Sequence, residues 1–195
     1  MVNCIKTRVL KSRLFELVCK DVDSQHVRLL LHTEVRWLSK GKVLARVNEF
    51  QKELFSFFEH EGHDRFCEYL NDELWMPTVE YLTEIFGHLS SLTSNMQGRN
   101  ENILTSTDKL VAFKKKLSPW NNRVNAGNLD MFPLIRKRSI EKMTPIIVEH
   151  LTIFENRIEK YFPSINIQDF DWFRDPFADL TATNPCNWSC MTRKN

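Results

Sequence analysis

The sequence predicts an all-α fold, a multi-helix array of roughly six to eight helices. Three observations predict it. Apolar residues recur three and four apart through most of the chain, the period of one helix face. Only five glycines interrupt 195 residues, and glycine is second only to proline in weakening a helix. Long mixtures of charged and apolar residues stand where a sheet would need alternating β-branched and aromatic ones.

Residues 4 to 20 read as one helix, with Ile5, Val9, Leu14, Leu17 and Val18 on its inner side. The run Asp21-Val22-Asp23-Ser24 breaks it, and Ser24 can cap a short turn carrying Val27, Leu30 and Leu31. A second helix spans residues 38 to 59, where Val43, Leu44, Val47, Phe50, Leu54, Phe57 and Phe58 form one wide stripe. Glu61-Gly62-His63 ends it. A short helix follows, with Phe66, Tyr69 and Leu70 facing inward. From Trp75 the spacing tightens, and Leu82, Ile85, Leu89, Leu92 and Met96 form a heptad-like seam suited to near-parallel helix packing. Gly98 fits the left-handed residue just past that helix. Ile103, Leu110, Phe113 and Leu117 carry the next helix, broken by Ser118-Pro119. Gly127-Asn128 and Pro133 mark a connection. The last helix carries Ile140, Met143, Ile147, Leu151, Phe154, Ile158 and Phe162. Pro145 either kinks it or, the reading preferred here, opens its main part with Thr144 as N-cap. Beyond Pro163, apolar Ile165, Ile167, Phe170, Trp172, Phe173 and Phe177 alternate irregularly with Asp169, Asp171 and Asp175. Residues 163–180 therefore read as an extended segment wrapped over the bundle, and residues 181–195, polar and patternless, as a disordered tail.

Composition narrows the function classes. Hydrophobic content of 42% with 14 Phe and 5 Trp is globular. A net charge of +2 is too small for nucleic-acid binding by bulk electrostatics, so any such binding needs local basic clusters. Five dispersed cysteines (Cys4, Cys19, Cys67, Cys186, Cys190) do not form the paired framework of a secreted domain and fit reduced thiols. No apolar run approaches the ~18 residues of a membrane span, and the first residues lack a signal-peptide pattern.

Little of the chain has the spacing of a catalytic or metal centre. His60, His63 and Cys67 come nearest to metal-ligand spacing, but Gly62 weakens the helix between them and no fourth ligand is close. Asp169, Asp171, Asp175 and Asp179 are adjacent in sequence, whereas metal-dependent phosphoryl chemistry draws carboxylates from separate elements; a solvated face or helix caps account for them. No metal, no cofactor and no catalytic residue is expected. Four basic clusters remain: Lys6, Arg8, Lys11 and Arg13; Lys40, Lys42 and Arg46; Lys114 to Lys116, which spread around a helix as a solvated face; and Arg136, Lys137 and Arg138. The second adjoins Arg36-Trp37, where an indole can stack on a base and a guanidinium can meet phosphate. Arg36, Trp37, Lys40, Lys42 and Arg46 are thus the candidate DNA-binding residues. Arg36-Trp37 can also be ordinary structure, a buried Trp anchoring a helix with an Arg beside it, as most aromatics at helix starts are.

Several strings in order carry a family resemblance. They are Asn3-Cys4-Ile5-Lys6 through Ser12-Arg13-Leu14-Phe15, His32 through Leu44, Leu92 to Leu104, Gly127-Asn128-Leu129-Asp130-Met131-Phe132-Pro133, and Asp171-Trp172-Phe173-Arg174-Asp175-Pro176-Phe177. Over residues 2 to 180 the chain resembles the hAT family of DNA transposases and the host proteins derived from it, among them zinc finger BED domain-containing, SCAN domain-containing and general transcription factor II-I repeat proteins. The resemblance implies that residues 1–162 correspond to the helical insertion of a ribonuclease H-like transposase whose core sheet is missing. It implies that the three catalytic carboxylates lie outside this chain, so no nuclease activity is expected, and that Arg36-Trp37 matches a pair holding a flipped base. It favours a nuclear location over a cytoplasmic one. The expected partners are DNA or, alternatively, proteins met through the helical surfaces of the Leu82–Met96 seam and the Phe50–Phe58 stripe; a translated transposon remnant without function is the remaining reading. No membrane partner is expected, and oligomeric state is open.

Overall fold

Two hydrophobic cores share one long helix. The computed structural model describes residues 1–22, 24, 26–30, 39–99, 101–135 and 140–163, and among them there are eight helices and no strand. In order they are α1 (Val2–Lys6), α2 (Val9–Asp21), α3 (Ser39–Glu49), α4 (Gln51–His60), α5 (Asp64–Asn71), α6 (Trp75–Asn95), α7 (Ile103–Asn125) and α8 (Ile140–Tyr161).

The first core gathers Ile5, Phe15, Cys19, Leu29, Val47, Phe50, Leu54, Phe57, Phe58 and Leu70 with Met76 and Val79 from the start of α6. The expected helix over residues 4 to 20 is two helices instead. Arg8, extended at φ −117° and ψ 114°, interrupts it and resets the helical phase. Phe15 and Cys19 of α2 therefore face inward, with Phe15 edge-on to Phe50 at 5.4 Å and to Phe57 at 5.6 Å. Val9, Leu14 and Leu17, expected inside, are 71%, 38% and 55% exposed. The expected helix over residues 38 to 59 bends at Phe50 (φ −90°, ψ 21°) without losing its hydrogen-bond ladder. Phe50 N–H still donates to Arg46 O at 3.1 Å, and Leu54 N–H to Phe50 O at 2.8 Å. The bend lets α3 pack along α6 while α4 packs on α2 and α5.

Gly62 ends α4 in a Schellman turn, with φ 68°, its N–H on Glu59 O at 3.2 Å and His63 N–H on Phe58 O at 2.9 Å. In α5, Leu70 is buried but Tyr69 is not: it lies under the Arg65 guanidinium and stacks on Trp75 at the surface. Ser24 caps no turn. Its hydroxyl donates to the buried carboxylate of Glu53, and residues 26–30 are not helical. Of Val27, Leu30 and Leu31, Val27 packs on the first core, Leu30 is exposed and Leu31 lies outside the described residues.

The second core joins Tyr81 and Ile85 of α6 to Phe113, Leu117, Trp120 and Val124 of α7 and Met143, Ile147, Leu151 and Ile158 of α8. Leu82, Leu89 and Leu92 of the heptad-like seam pack against it, so the seam is internal. Gly98 is not the left-handed C′ residue; Gly62 and Gly127 are the glycines with positive φ. The α6 helix ends at Met96, whose N–H returns to Leu92 O at 3.1 Å. Asn102 opens α7 with a reciprocal capping box to Thr105.

Pro119 does not break α7. A proline inside a helix forfeits one backbone bond and costs about 3 kcal/mol, but Leu117, Trp120 and Val124 on either side of it are all buried. That burial outweighs the loss. Pro145 likewise lies inside α8, which begins five residues earlier at Ile140, so Thr144 is not its N-cap.

The connection after α7 contributes more than a link. Gly127 (φ 75°) closes a second Schellman turn, with Asn128 N–H on Arg123 O at 2.9 Å. The following residues drive Leu129, Phe132 and Ile135 into the core. Glu84 of α6 holds this plug by accepting the Leu134 N–H at 2.9 Å. The segment expected to wrap the bundle and the expected tail lie outside the described residues from 164 onward.

Candidate nucleic-acid interface

The five candidate DNA-binding residues straddle the start of α3. Arg36 and Trp37 lie outside the described residues. Lys40 and Lys42 are exposed on the first turn of α3, and between them Gly41 presses on α6. A Cβ placed on Gly41 would sit 2.7 Å from the Cβ of Phe86, so only a glycine permits this approach. Neighbours on a helix are about 100° apart around the axis. With Gly41 turned to α6, Lys40 and Lys42 therefore flank the crossing on opposite sides. Lys42 shares its side with Arg46, four residues on; Lys40 does not.

Arg46 is engaged within the fold. Its guanidinium lies 5.6 Å from the Phe50 ring centroid and 3.4 Å from the Glu49 carboxylate, with the side chain only 16% exposed. Glu49 also meets His26 Nδ1 at 2.5 Å. The acid that neutralises part of this patch is thus Glu49, three residues after Arg46. The sequence carried a signal for it, because residues three apart on a helix are neighbours.

The other polar clusters resolve as structure. His60, His63 and Cys67 do not converge. His60 is exposed, His63 Nε2 faces Lys11 Nζ at 3.2 Å and Cys4 Sγ at 3.9 Å, and Cys67 donates to Phe55 O at 3.9 Å. Among the described residues no three His, Cys, Asp or Glu side chains are grouped to hold a metal. Lys11 pairs with Glu61 at 2.7 Å, and that hydrogen bond holds the Glu61 carboxyl below the ordinary carboxylate range. Lys114, expected on a solvated face, donates to Phe162 O at 2.9 Å and pairs with Glu159, tying α7 to the end of α8. Lys115 and Lys116 are exposed. Arg136, Lys137 and Arg138, the four tail aspartates, Cys186 and Cys190 lie outside the described residues.

The surroundings of three titratable groups, Tyr81, His150 and Cys19, were not legible in the sequence. The Tyr81 hydroxyl and His150 Nδ1 share a hydrogen bond at 2.8 Å, with the two rings edge-on at 5.4 Å. Burial pushes the Tyr81 phenol well up and the His150 imidazole down. Burial, reinforced by Glu53, Glu16 and Glu49, raises the Cys19 thiol to about 11, which keeps it protonated. Tyr81 belongs to the second core and Cys19 to the first.

The described residues define an all-helical module of eight helices. The chain belongs to the FAM200/GTF2IRD2-like family: the model of the FAM200/GTF2IRD2 helical domain matches residues 1–125. It is similar to general transcription factor II-I repeat domain-containing protein 2 of Bos taurus, at 29% identity over 182 residues covering 91% of this chain. The chain spans 19% of the length of that relative. No solved structure matches at a significant level. Among the described residues no helix is long and apolar enough to cross a membrane.

Proposed function

We propose that this chain is a transposon-derived helical module without nuclease activity that holds DNA at the entry to α3, through Arg36, Trp37, Lys40, Lys42 and Arg46. The observation that carries this reading is the pair of exposed lysines, Lys40 and Lys42, set on either side of the Gly41–Phe86 crossing. A rigid helix start that presents two ammonium groups directly after Arg36-Trp37 can grip phosphates while an indole takes a base. The hAT resemblance supplies the role: a corner that holds a flipped base while the cutting carboxylates lie elsewhere. The name of the bovine relative, a general transcription factor repeat protein, favours the nucleus. The alternative, a helical protein-interaction module, loses the support first offered for it. The Leu82–Met96 seam and the Phe50–Phe58 stripe both serve this chain's own cores.

Fluorescence anisotropy tests the proposal, with a short duplex bearing one unpaired, flapped base titrated at two salt concentrations. Binding should weaken with salt and drop at least tenfold in the Arg36→Ala/Trp37→Ala variant, the order expected for one lost base stack of roughly 1–3 kcal/mol. A folded chain whose affinity is indifferent to that double substitution refutes the assignment.

A further inference from the structure

From Lys109 to Leu129 the chain carries five basic residues and no acid. The fold sorts the five. Lys109 is tied to Glu101 and to Asn95 O, and Lys114 to Glu159 and Phe162 O. Lys115, Lys116 and Arg123 are exposed, and none of them pairs with a carboxylate among the described residues. All three stand on the side of α7 turned away from the core. Leu117, Trp120 and Val124 mark the inner side, and each residue turns the helix by about 100°. Lys116 and Arg123, seven residues apart, therefore share one edge of the outer face, and Lys115 and Asn122 share the other. Between the edges run Ala112, Pro119 and Ala126, all exposed and all short. Asp108, seven residues before Lys115, and Asp130, past the end of the helix, bound the stretch. Between them the face has one sign of charge.

We propose that this face of α7 holds the phosphate backbone of a DNA duplex through Lys115, Lys116 and Arg123, without reading its bases. The three charges span about 12 Å of helix axis. A duplex offers one phosphate charge per about 1.7 Å of its own axis, so each cation can meet a separate phosphate. The short side chains between the edges leave nothing to hold the backbone off. From Lys115 to Ala126 the outer face carries no aromatic ring on which the bases of a single strand would stack. Nor does it carry the large apolar side chains that an interfacial helix buries in a bilayer. The helix is also fixed in advance, by the Asn102–Thr105 capping box at its start and by the ties of Lys114 to the end of α8. Little ordering cost is left for the moment of binding. This is a different helix from the α3 entry, so either surface can fail alone.

The test is the salt dependence of binding of the full chain to a blunt, fully paired duplex, read by fluorescence anisotropy. The parent is compared with Lys115→Gln/Lys116→Gln/Arg123→Gln. Gln matches Lys and Arg in helix propensity, and circular dichroism checks that the fold is kept. Each phosphate contact adds about 0.9 to the slope of log affinity against log salt, so the triple variant should lower that slope by about 2 to 3. Its affinity at low salt should fall at least about tenfold, by the same factor on duplexes of unrelated sequence. A slope changed by less than about 0.5 overturns the proposal. So does a parent chain that ignores the paired duplex, whatever the flapped probe does at α3. A parent that floats with phosphatidylserine vesicles, and loses them in the triple variant with its DNA slope unchanged, overturns it too and assigns the face to an anionic membrane. The Arg36→Ala/Trp37→Ala variant on the flapped probe judges the α3 reading separately.

Discussion

Gly41→Ala and Gly87→Ala are the same substitution in helices that touch each other, and the structure gives them opposite signs. Replacing glycine by alanine inside a helix ordinarily stabilises by about 0.5–1 kcal/mol, through lower chain entropy and better propensity. Gly87, within α6, has nothing within 4 Å of the added Cβ, so it should deliver that gain. At Gly41 the new methyl would stand 2.7 Å from Phe86 Cβ and 3.5 Å from its Cγ. The obstructing atom is the root of the Phe86 side chain and cannot swing aside. The two helices must separate by most of an ångström, and overpacking of this kind costs about 1–3 kcal/mol. Set against a first-turn propensity gain smaller than 1 kcal/mol, Gly41→Ala should destabilise by about 1–2 kcal/mol. Urea unfolding followed by circular dichroism reads both variants. In a chain this long, each kcal/mol corresponds to about 2–4 °C in melting temperature. A Gly41→Ala protein as stable as Gly87→Ala would refute the close α3–α6 crossing.

Other expectations follow from single contacts. His150 is half-buried against Tyr81, and that burial holds its pKa below the ordinary 6.5. The unfolded chain therefore takes up a proton first as pH falls. Stability from this group is complete above pH 6.5 and is lost as pH falls from there through the lower folded-state pKa, and His150→Phe should flatten that part of a stability–pH curve. Gly127→Ala forces a side chain into φ 75° at the end of α7, which should cost about 1 kcal/mol in thermal unfolding. In the DNA titration, Lys42→Gln should lower the salt slope by about 1. Arg46→Gln should lower it less, because Glu49 already compensates that charge.

Helix existence was legible wherever one apolar face persists. The stripe from Phe50 to Phe58 and the seam from Leu82 to Leu92 both entered cores, and the stops at Glu61-Gly62-His63 and Gly127-Asn128 are Schellman turns. Helix faces were less legible when a helix is apolar on two sides. In α2, Leu14 and Leu17 fit the helical period as well as Phe15 and Cys19 do, and only the aromatic contacts with Phe50 and Phe57 decide between them. The prolines misled because propensity is local, whereas the burial that carries α7 through Pro119 and α8 through Pro145 is tertiary. The candidate site was legible as a list of basic residues but not as an arrangement. Nothing in the spacing of Lys40, Lys42 and Arg46 showed that Gly41 would split the lysines across a helix crossing, whereas the three-residue step from Arg46 to Glu49 did carry their pairing.

The α6 helix gives Met76 and Val79 to one core and Tyr81 and Ile85 to the other. It is a party wall, and neither room stands without it. The matched family segment closes with α7 at residue 125, whereas Met143, Ile147 and Leu151 of α8 roof the second core. A fragment trimmed to residue 125 would leave Phe113, Leu117 and Trp120 open to water and loosen α6 along half its length. That slack would pass through the Gly41–Phe86 crossing to the lysines on α3. The smallest piece able to present those lysines firmly therefore runs through α8, and damage far out on α8 should be felt at the other end of the molecule.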